Sequence, residues 1–368
     1  MILLRRWVVV FGSAVAIAVA VGCGAGAGKA DSKAAVSPCG TATLPTWSPD
    51  GTQIAWYGHR WPLPNLHHAS GSIKVLRAIC VSDADGANVH TLPHTVCSER
   101  CSPELSDPPG QLYWVASGML YGGDAGIFAI PTGQKPKLLS RTPPEPFSTD
   151  TAGDRVAGGA VAACTNRGCA GPVRIVDVPS GALVGKVGGA KLINTQPSLS
   201  PDGTQVAFAR FPANDSGRNL GIWTASADGS HLRRLVRSGN NPHWSPAGNR
   251  IAYLTGTIRP VLRLVPAGGG ASTTLVSGGV GSIFSWSPDG RRIAFSDSKG
   301  RLAVVDATTK KVRKLLQFHG AYGPSSIAWS PNSQQLLAVW RPPAHSGCPS
   351  GLWRVPVDGA RPRLVHGC

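Results

Sequence analysis

Short apolar runs, each closed by a turn rich in Gly, Pro and Asp, alternate along almost the whole chain. Four runs are near-copies: Ile54-Ala55-Trp56, Val206-Ala207-Phe208, Ile251-Ala252-Tyr253 and Ile293-Ala294-Phe295. Each follows a turn segment at a fixed distance. The segments are Trp47-Ser48-Pro49-Asp50-Gly51, Ser200-Pro201-Asp202-Gly203, Trp244-Ser245-Pro246-Ala247-Gly248 and Trp286-Ser287-Pro288-Asp289-Gly290. A fifth stands at Trp329-Ser330-Pro331-Asn332. Proline presets φ at the second turn position, Asp bonds its own backbone, and Gly accepts positive φ. The pattern predicts a hairpin turn between two strands. A third strand then ends at another turn, as in Gly221–Ala225 before Asp228-Gly229 and Leu352–Val355 before Asp358-Gly359. A fourth closes the unit, as in Leu232–Val236 and Lys311–Leu316.

Ser200 to Ser245 spans 45 residues, Ser245 to Ser287 42, and Ser287 to Ser330 43. A repeat of about 40–50 residues with four short antiparallel strands is a β-propeller blade. Ser48 to Ser200 spans 152 residues, room for two degenerate units besides the first. One holds Asp150-Thr151-Ala152-Gly153, Arg155-Val156-Ala157 and Val173–Asp177. The other holds Leu112–Val115, Met119-Leu120-Tyr121, Ile127–Ile130 and Lys137-Leu138-Leu139. The expected fold is all-β, a propeller of seven four-stranded blades, with six as the alternative. An apolar fraction of 42%, 46 Gly, 31 Pro and no long helical periodicity agree with it.

The W-S-P-D-G turn, the I-A-[FWY] strand and the D-G turn resemble the repeats of TolB-type, WD-repeat-like β-propellers over roughly residues 42–368. The resemblance implies an extracytoplasmic propeller, often protein-binding. It does not extend to TolB's separate α/β domain, because the residues ahead of the ring are too few.

Residues 1–23 read as an export signal. Arg5 and Arg6 precede an apolar run, Trp7 to Val21, short for a membrane span. The run ends at Ala20-Val21-Gly22-Cys23, which resembles a bacterial lipobox with Cys23 as the lipidated residue, though Ala20 departs from the usual Leu. Residues 24–41 form a Gly-, Ala- and Ser-rich tether, and 42–368 the propeller. The expected location is the cell envelope, membrane-anchored through lipid.

Eight cysteines remain beyond Cys23: Cys39, Cys80, Cys97, Cys101, Cys164, Cys169, Cys348 and Cys368. An even number in an exported chain predicts disulfides. Cys164 and Cys169 share one loop and are expected to pair. Cys368 is expected to join either Cys348, tying the last blade, or Cys39, closing the ring. Cys97 is expected to join Cys101 or Cys80.

The net charge is +17, and removing the signal leaves 34 basic against 19 acidic residues. Basic clusters such as His231–Arg237 and Lys310–Lys314 fall on fourth strands. There they guard exposed edges against strand pairing, or attract anionic envelope polymers. No nucleic-acid motif appears.

Candidate chemistry is sparse. His90, His94, Cys97 and Cys101 could form a tetrahedral metal site, but the spacing matches no standard finger and exported thiols usually pair. Asp83-Ala84-Asp85-Gly86 looks like the start of a calcium loop but occupies a third-strand turn. G-x-S-x-G does not occur. The recurrent tryptophans are expected between blades. The residues just before them, Thr46, His243, Ser285 and Ala328, with Ser198 as the equivalent of the fourth unit, should alternate toward the central channel.

These features lead to a lipid-anchored platform that binds an envelope protein or a ligand, without cofactor or metal and not an enzyme. The alternatives are a hydrolase or lyase acting at the channel mouth, and a metal-binding module. The working face is expected to carry the insertions 58–75, 93–110, 162–172 and 341–351.

Overall fold

The structure is a computed structural model that describes residues 39–60, 76–93, 111–123, 126–132, 134–140, 147–159, 163–165, 168–213, 219–317, 323–340 and 351–367. The compact unit runs from Ser37 to Cys368. It holds seven four-stranded antiparallel blades. Blade 1 is β1 (Thr41–Trp47), β2 (Gln53–Arg60), β3 (Leu76–Asp83) and β4 (His90–Thr91). Blade 2 is β5 (Leu112–Val115), β6 (Gly118–Gly123), β7 (Gly126–Pro131) and β8 (Lys137–Ser140). Blade 3 takes β9 (Ser148–Thr149), β10 (Arg155–Gly159), β13 (Val173–Asp177) and β14 (Leu183–Val187). A separate hairpin, β11 (Ala163–Thr165) and β12 (Gly168–Ala170), interrupts it. Blade 4 is β15 (Leu192–Leu199), β16 (Gln205–Pro212), β17 (Ile222–Ser226) and β18 (Arg233–Val236). Blade 5 is β19 (Asn240–Trp244), β20 (Arg250–Thr255), β21 (Val261–Pro266) and β22 (Thr273–Val276). Blade 6 is β23 (Val280–Trp286), β24 (Arg292–Asp297), β25 (Arg301–Asp306) and β26 (Val312–Gln317). Blade 7 is β27 (Ser326–Trp329), β28 (Gln335–Trp340), β29 (Gly351–Pro356) and β30 (Arg363–Gly367). Of the two expected counts, seven is the one observed, and both degenerate units are complete blades.

The turn chemistry is local and repeated. Ser200 Oγ donates to Asp202 Oδ1 (2.6 Å) and accepts from Gln205 N (2.9 Å). Asp202 Oδ1 in turn accepts from Thr204 N (3.0 Å), and Gly203 N donates to Ser200 O (2.9 Å). The same bonds recur at Ser48, Ser287 and Ser330. Each of these serines is buried, and its hydroxyl gives the first backbone N–H of the following strand an acceptor. Asp83–Gly86 is a turn as read, with Gly86 N donating to Asp83 O at 2.9 Å.

Apolar second and third strands pack blade against blade. Trp47, Trp244, Trp286 and Trp329 are buried in clusters that each join two neighbouring blades. Among the described residues the ring closes with no strand shared between its ends. Instead Trp47, Ile54 and Trp56 of blade 1 pack on Leu337, Val339 and Leu352 of blade 7. The Trp56 ring lies 4.8 Å from His366, whose Nε2 bonds Cys39 O.

Cys39 and Cys80 form a disulfide, with Cα atoms 5.9 Å apart. This corrects two expectations. Cys39 does not close the ring onto Cys368, and Cys80 does not join Cys97. Residues 39–40 turn ahead of β1 and bring Cys39 onto β3 within the core between blades 1 and 7. The β11–β12 register sets Cys164 directly opposite Cys169. Cys23, Cys97, Cys101, Cys348, Cys368 and His94 lie outside the described residues, as does most of each expected insertion except 162–172.

Arginine forks stitch the seams. Arg233 Nη2 and Nη1 donate to Ala267 O (2.7 Å) and Gly268 O (3.1 Å) in the next blade. Arg313 bonds Val357 O (3.0 Å) and Asp358 O, and Arg354 bonds Ala84 O (2.8 Å) across the closing seam. Arg155 to Gly203 O, Arg250 to Ala307 O, Arg292 to Ser333 O and Lys137 to Pro179 O do the same elsewhere. Part of the basic excess on outer strands therefore holds blades together, a use that edge protection and anion attraction both miss.

Candidate functional site

The inner strands leave a cavity of about 380 Å³ facing blades 2 to 6, within the size range of small-molecule sites. Its wall includes Gln111, Tyr113, Thr149, Gln196, Ser198 and His243. Pro201, Pro246 and Pro288 of the S-P turns also line it. It therefore sits toward the end of the channel where first strands turn into second strands. Antiparallel order puts the second-to-third strand connections at the opposite end.

The backbone here is unusual. Gln196 and Asn241 adopt positive φ (53° and 51°), as does Leu44 (49°) at the matching place in β1. Each coincides with a bulge in the inner strand's register. Each precedes a proline: Pro45, Pro197 and Pro242. Proline lacks an N–H and suits a strand edge with no partner. Left-handed φ in a side-chain-bearing residue costs about 1–2 kcal/mol, and such strain concentrates at functional positions. The sequence reading missed this x-Pro repeat, whose signal was a proline inside an expected inner strand.

Ser198 and His243, two of the five channel candidates, line the cavity. Thr46, Ser285 and Ala328 are not part of its wall. These positions also bind neighbouring inner strands together. Ser198 Oγ accepts from Trp244 N (3.0 Å), Trp286 Nε1 donates to His243 O (3.2 Å), and Trp329 Nε1 donates to Ser285 O (3.0 Å). Ala328 packs against the core between blades 7 and 1.

The titratable groups in the wall are held uncharged or engaged. Removal from solvent pushes the His243 imidazole down to about 4, so the ring is neutral at pH 7. Its Nε2 lies 3.2 Å from Asn241 Oδ1, and its ring 4.5 Å from that of Phe284. A proton on Nε2 satisfies Asn241 and leaves Nδ1 as an acceptor. Burial pushes the Tyr113 phenol up, so it stays protonated. Its hydroxyl lies 2.9 Å from Gln111 Oε1 and 3.1 Å from Phe147 O. Asp150 is the one carboxylate among the described residues of the wall, and its Oδ1 accepts from the N–H groups of Gly153 (2.8 Å) and Asp154 (2.9 Å).

His90 lies apart, exposed on β4, with Nδ1 2.9 Å from Asn88 O. Among the described residues no three His, Cys, Asp or Glu side chains gather as metal ligands would.

No family model matches the chain. The uncharacterized protein Atu1656 of Agrobacterium fabrum is 26% identical over 268 residues, 68% of this chain and 83% of its own length. Among solved structures, an oligogalacturonate lyase from Vibrio parahaemolyticus matches with a TM-score of 0.61 at 12% identity, covering 87% of this chain and 90% of its own. A puromycin hydrolase matches at 0.56 and 16% identity, over 89% of this chain and 54% of its own. A TolB structure from Acinetobacter baumannii is also a neighbour, at 0.45 and 14% identity, over 83% of this chain and 81% of that one. At these identities the likeness shows the fold. It also corrects the expectation of a non-enzyme: that expectation rested on absent motifs, and enzymes are built on this same ring.

Proposed function

We propose that the chain is an exported, lipid-anchored propeller of the cell envelope that binds a ligand or a partner protein at the mouth of its central channel. The observation that carries this is the cavity of about 380 Å³ between the inner strands, with strained Gln196 and Asn241 in its wall. The buried Cys39–Cys80 bridge supports the extracytoplasmic part, since disulfides persist in oxidising compartments. The signal-like residues 1–23 with Cys23 support the anchor. The basic excess, concentrated in residues 192–368 with 20 Lys and Arg against 7 Asp and Glu, supports contact with anionic envelope polymers.

A second reading places catalysis in the same cavity. Asp150, neutral His243 and protonated Tyr113, from three different blades, line the same cavity, and the lyase and hydrolase neighbours favour it.

The test is crosslinking in living cells, purification of the anchored chain and mass spectrometry. The reading predicts one species in near-stoichiometric amount, lost when Ser198→Trp fills the cavity in a protein that still folds. Capture unchanged by Ser198→Trp contradicts it. Membrane association should disappear in Cys23→Ser, and retention there removes the anchor.

A further inference from the structure

We infer that the channel-mouth cavity takes an uncharged polyhydroxylated ligand, a neutral saccharide of one or two rings. The inference rests on the cavity being the working site and adds the chemical class of what enters it.

The argument begins with charge. The chain carries 36 Lys and Arg, yet none lines the cavity among the described residues. An anionic ligand entering here meets no cation, and moving an ion from water without a partner is strongly unfavourable. Asp150 is the one charged side chain among the described residues of the wall, and its negative charge further opposes an anion. The site thus discriminates against anions by withholding counter-charge.

The polar atoms present are those that recognise hydroxyls. Amides are donors and acceptors at once, and a serine hydroxyl that accepts one bond still has its proton to give. Gln196 Oε1 accepts from Asn241 N at 2.7 Å, which fixes the amide. Its NH2 has no protein acceptor among the described residues. Ser148 and Ser198 each accept a backbone N–H from the next blade, at 2.9 and 3.0 Å. Their oxygens are thus positioned while their protons can turn toward a ligand. The wall also offers apolar surface, from Phe147, Trp244 and Trp286 and the ring carbons of Pro197, Pro242 and Pro246. A sugar ring presents this combination, C–H faces with hydroxyls at the edge. The volume of about 380 Å³ limits occupancy to a small ligand.

The test uses the mature chain and an array of neutral mono- and disaccharides, matched uronate-bearing sugars and short peptides, with affinities by calorimetry. The expected result is binding of a neutral sugar, about tenfold or more weaker in Gln196→Met, with the uronate counterpart bound at least about tenfold more weakly. Gln111→Lys should raise uronate binding. Melting curves confirm that both variants fold. Equal or tighter binding of a charged ligand, or no saccharide binding, overturns the inference. If a charged ligand or peptide binds and Gln196→Met weakens it, the cavity stands and only its ligand class falls. A sugar bound equally by wild type and Gln196→Met removes both.

Discussion

His243 shows how one residue reports on its surroundings. Its folded value of about 4 lies below the ordinary 6.5, so the unfolded chain binds a proton more readily. Stability from the neutral ring is present above about pH 6.5 and is lost as pH falls toward 4. The turn aspartates behave alike in sign but at lower pH. Hydrogen bonds from Ser200 and Thr204 hold Asp202 below its usual value of 3.8, so its contribution disappears only in stronger acid. Denaturant unfolding at pH 7 and pH 4.5 should therefore show a loss of stability that His243→Gln reduces. An unchanged pH profile in that variant would place the imidazole in a solvated setting. Ser200 is the other residue to test. Ser200→Ala leaves the Gln205 N–H without its side-chain acceptor and should cost about 1 kcal/mol.

At the scale of the element, the blade and its seam explain most of the sequence. The S-P-D-G turn and the following apolar strand were legible because each letter acts locally, within five residues of its partner. The inner strand's bulge was not, since it depends on an edge facing the channel. The arginine forks were not legible either. Arg313 is adjacent to the carbonyls of Val357 and Asp358 only because blade 7 follows blade 6 around a ring. Arg313→Met should keep the stem's packing and lose both bonds, lowering stability by about 1–3 kcal/mol. Arg234→Met, on the same kind of exposed strand with no such bond among the described residues, should change it by less than about 0.5 kcal/mol. Chemical denaturation of the pair checks this, and equal effects would refute the stitching role.

For the whole molecule, closure is the decisive feature. Seven sequence-contiguous blades leave the two ends of the ring to be joined by packing and by side-chain hydrogen bonds such as Arg354 to Ala84 O, and the Cys39–Cys80 bridge stabilises one side of that junction. It spans 41 residues, so the chain-entropy model gives it about 4 kcal/mol. Cys39→Ser with Cys80→Ser should lower stability by about that much. Hydrogen exchange should quicken first in β1, β28 and β29, and loosening confined to other blades would argue against a role in closure. The cysteine pairing was unreadable from sequence because eight thiols admit 105 arrangements and only the turn at residues 39–40 decides this one. The ring was readable, and its cavity was readable in part, through Ser198 and His243. The most direct measurement places a photo-crosslinking residue at Thr151 in the cavity wall and, separately, at exposed Leu138 on an outer strand, in the full chain in living cells. The account predicts a discrete adduct from position 151 and none from position 138. Adducts from position 138 alone would move the working surface to the rim and contradict it.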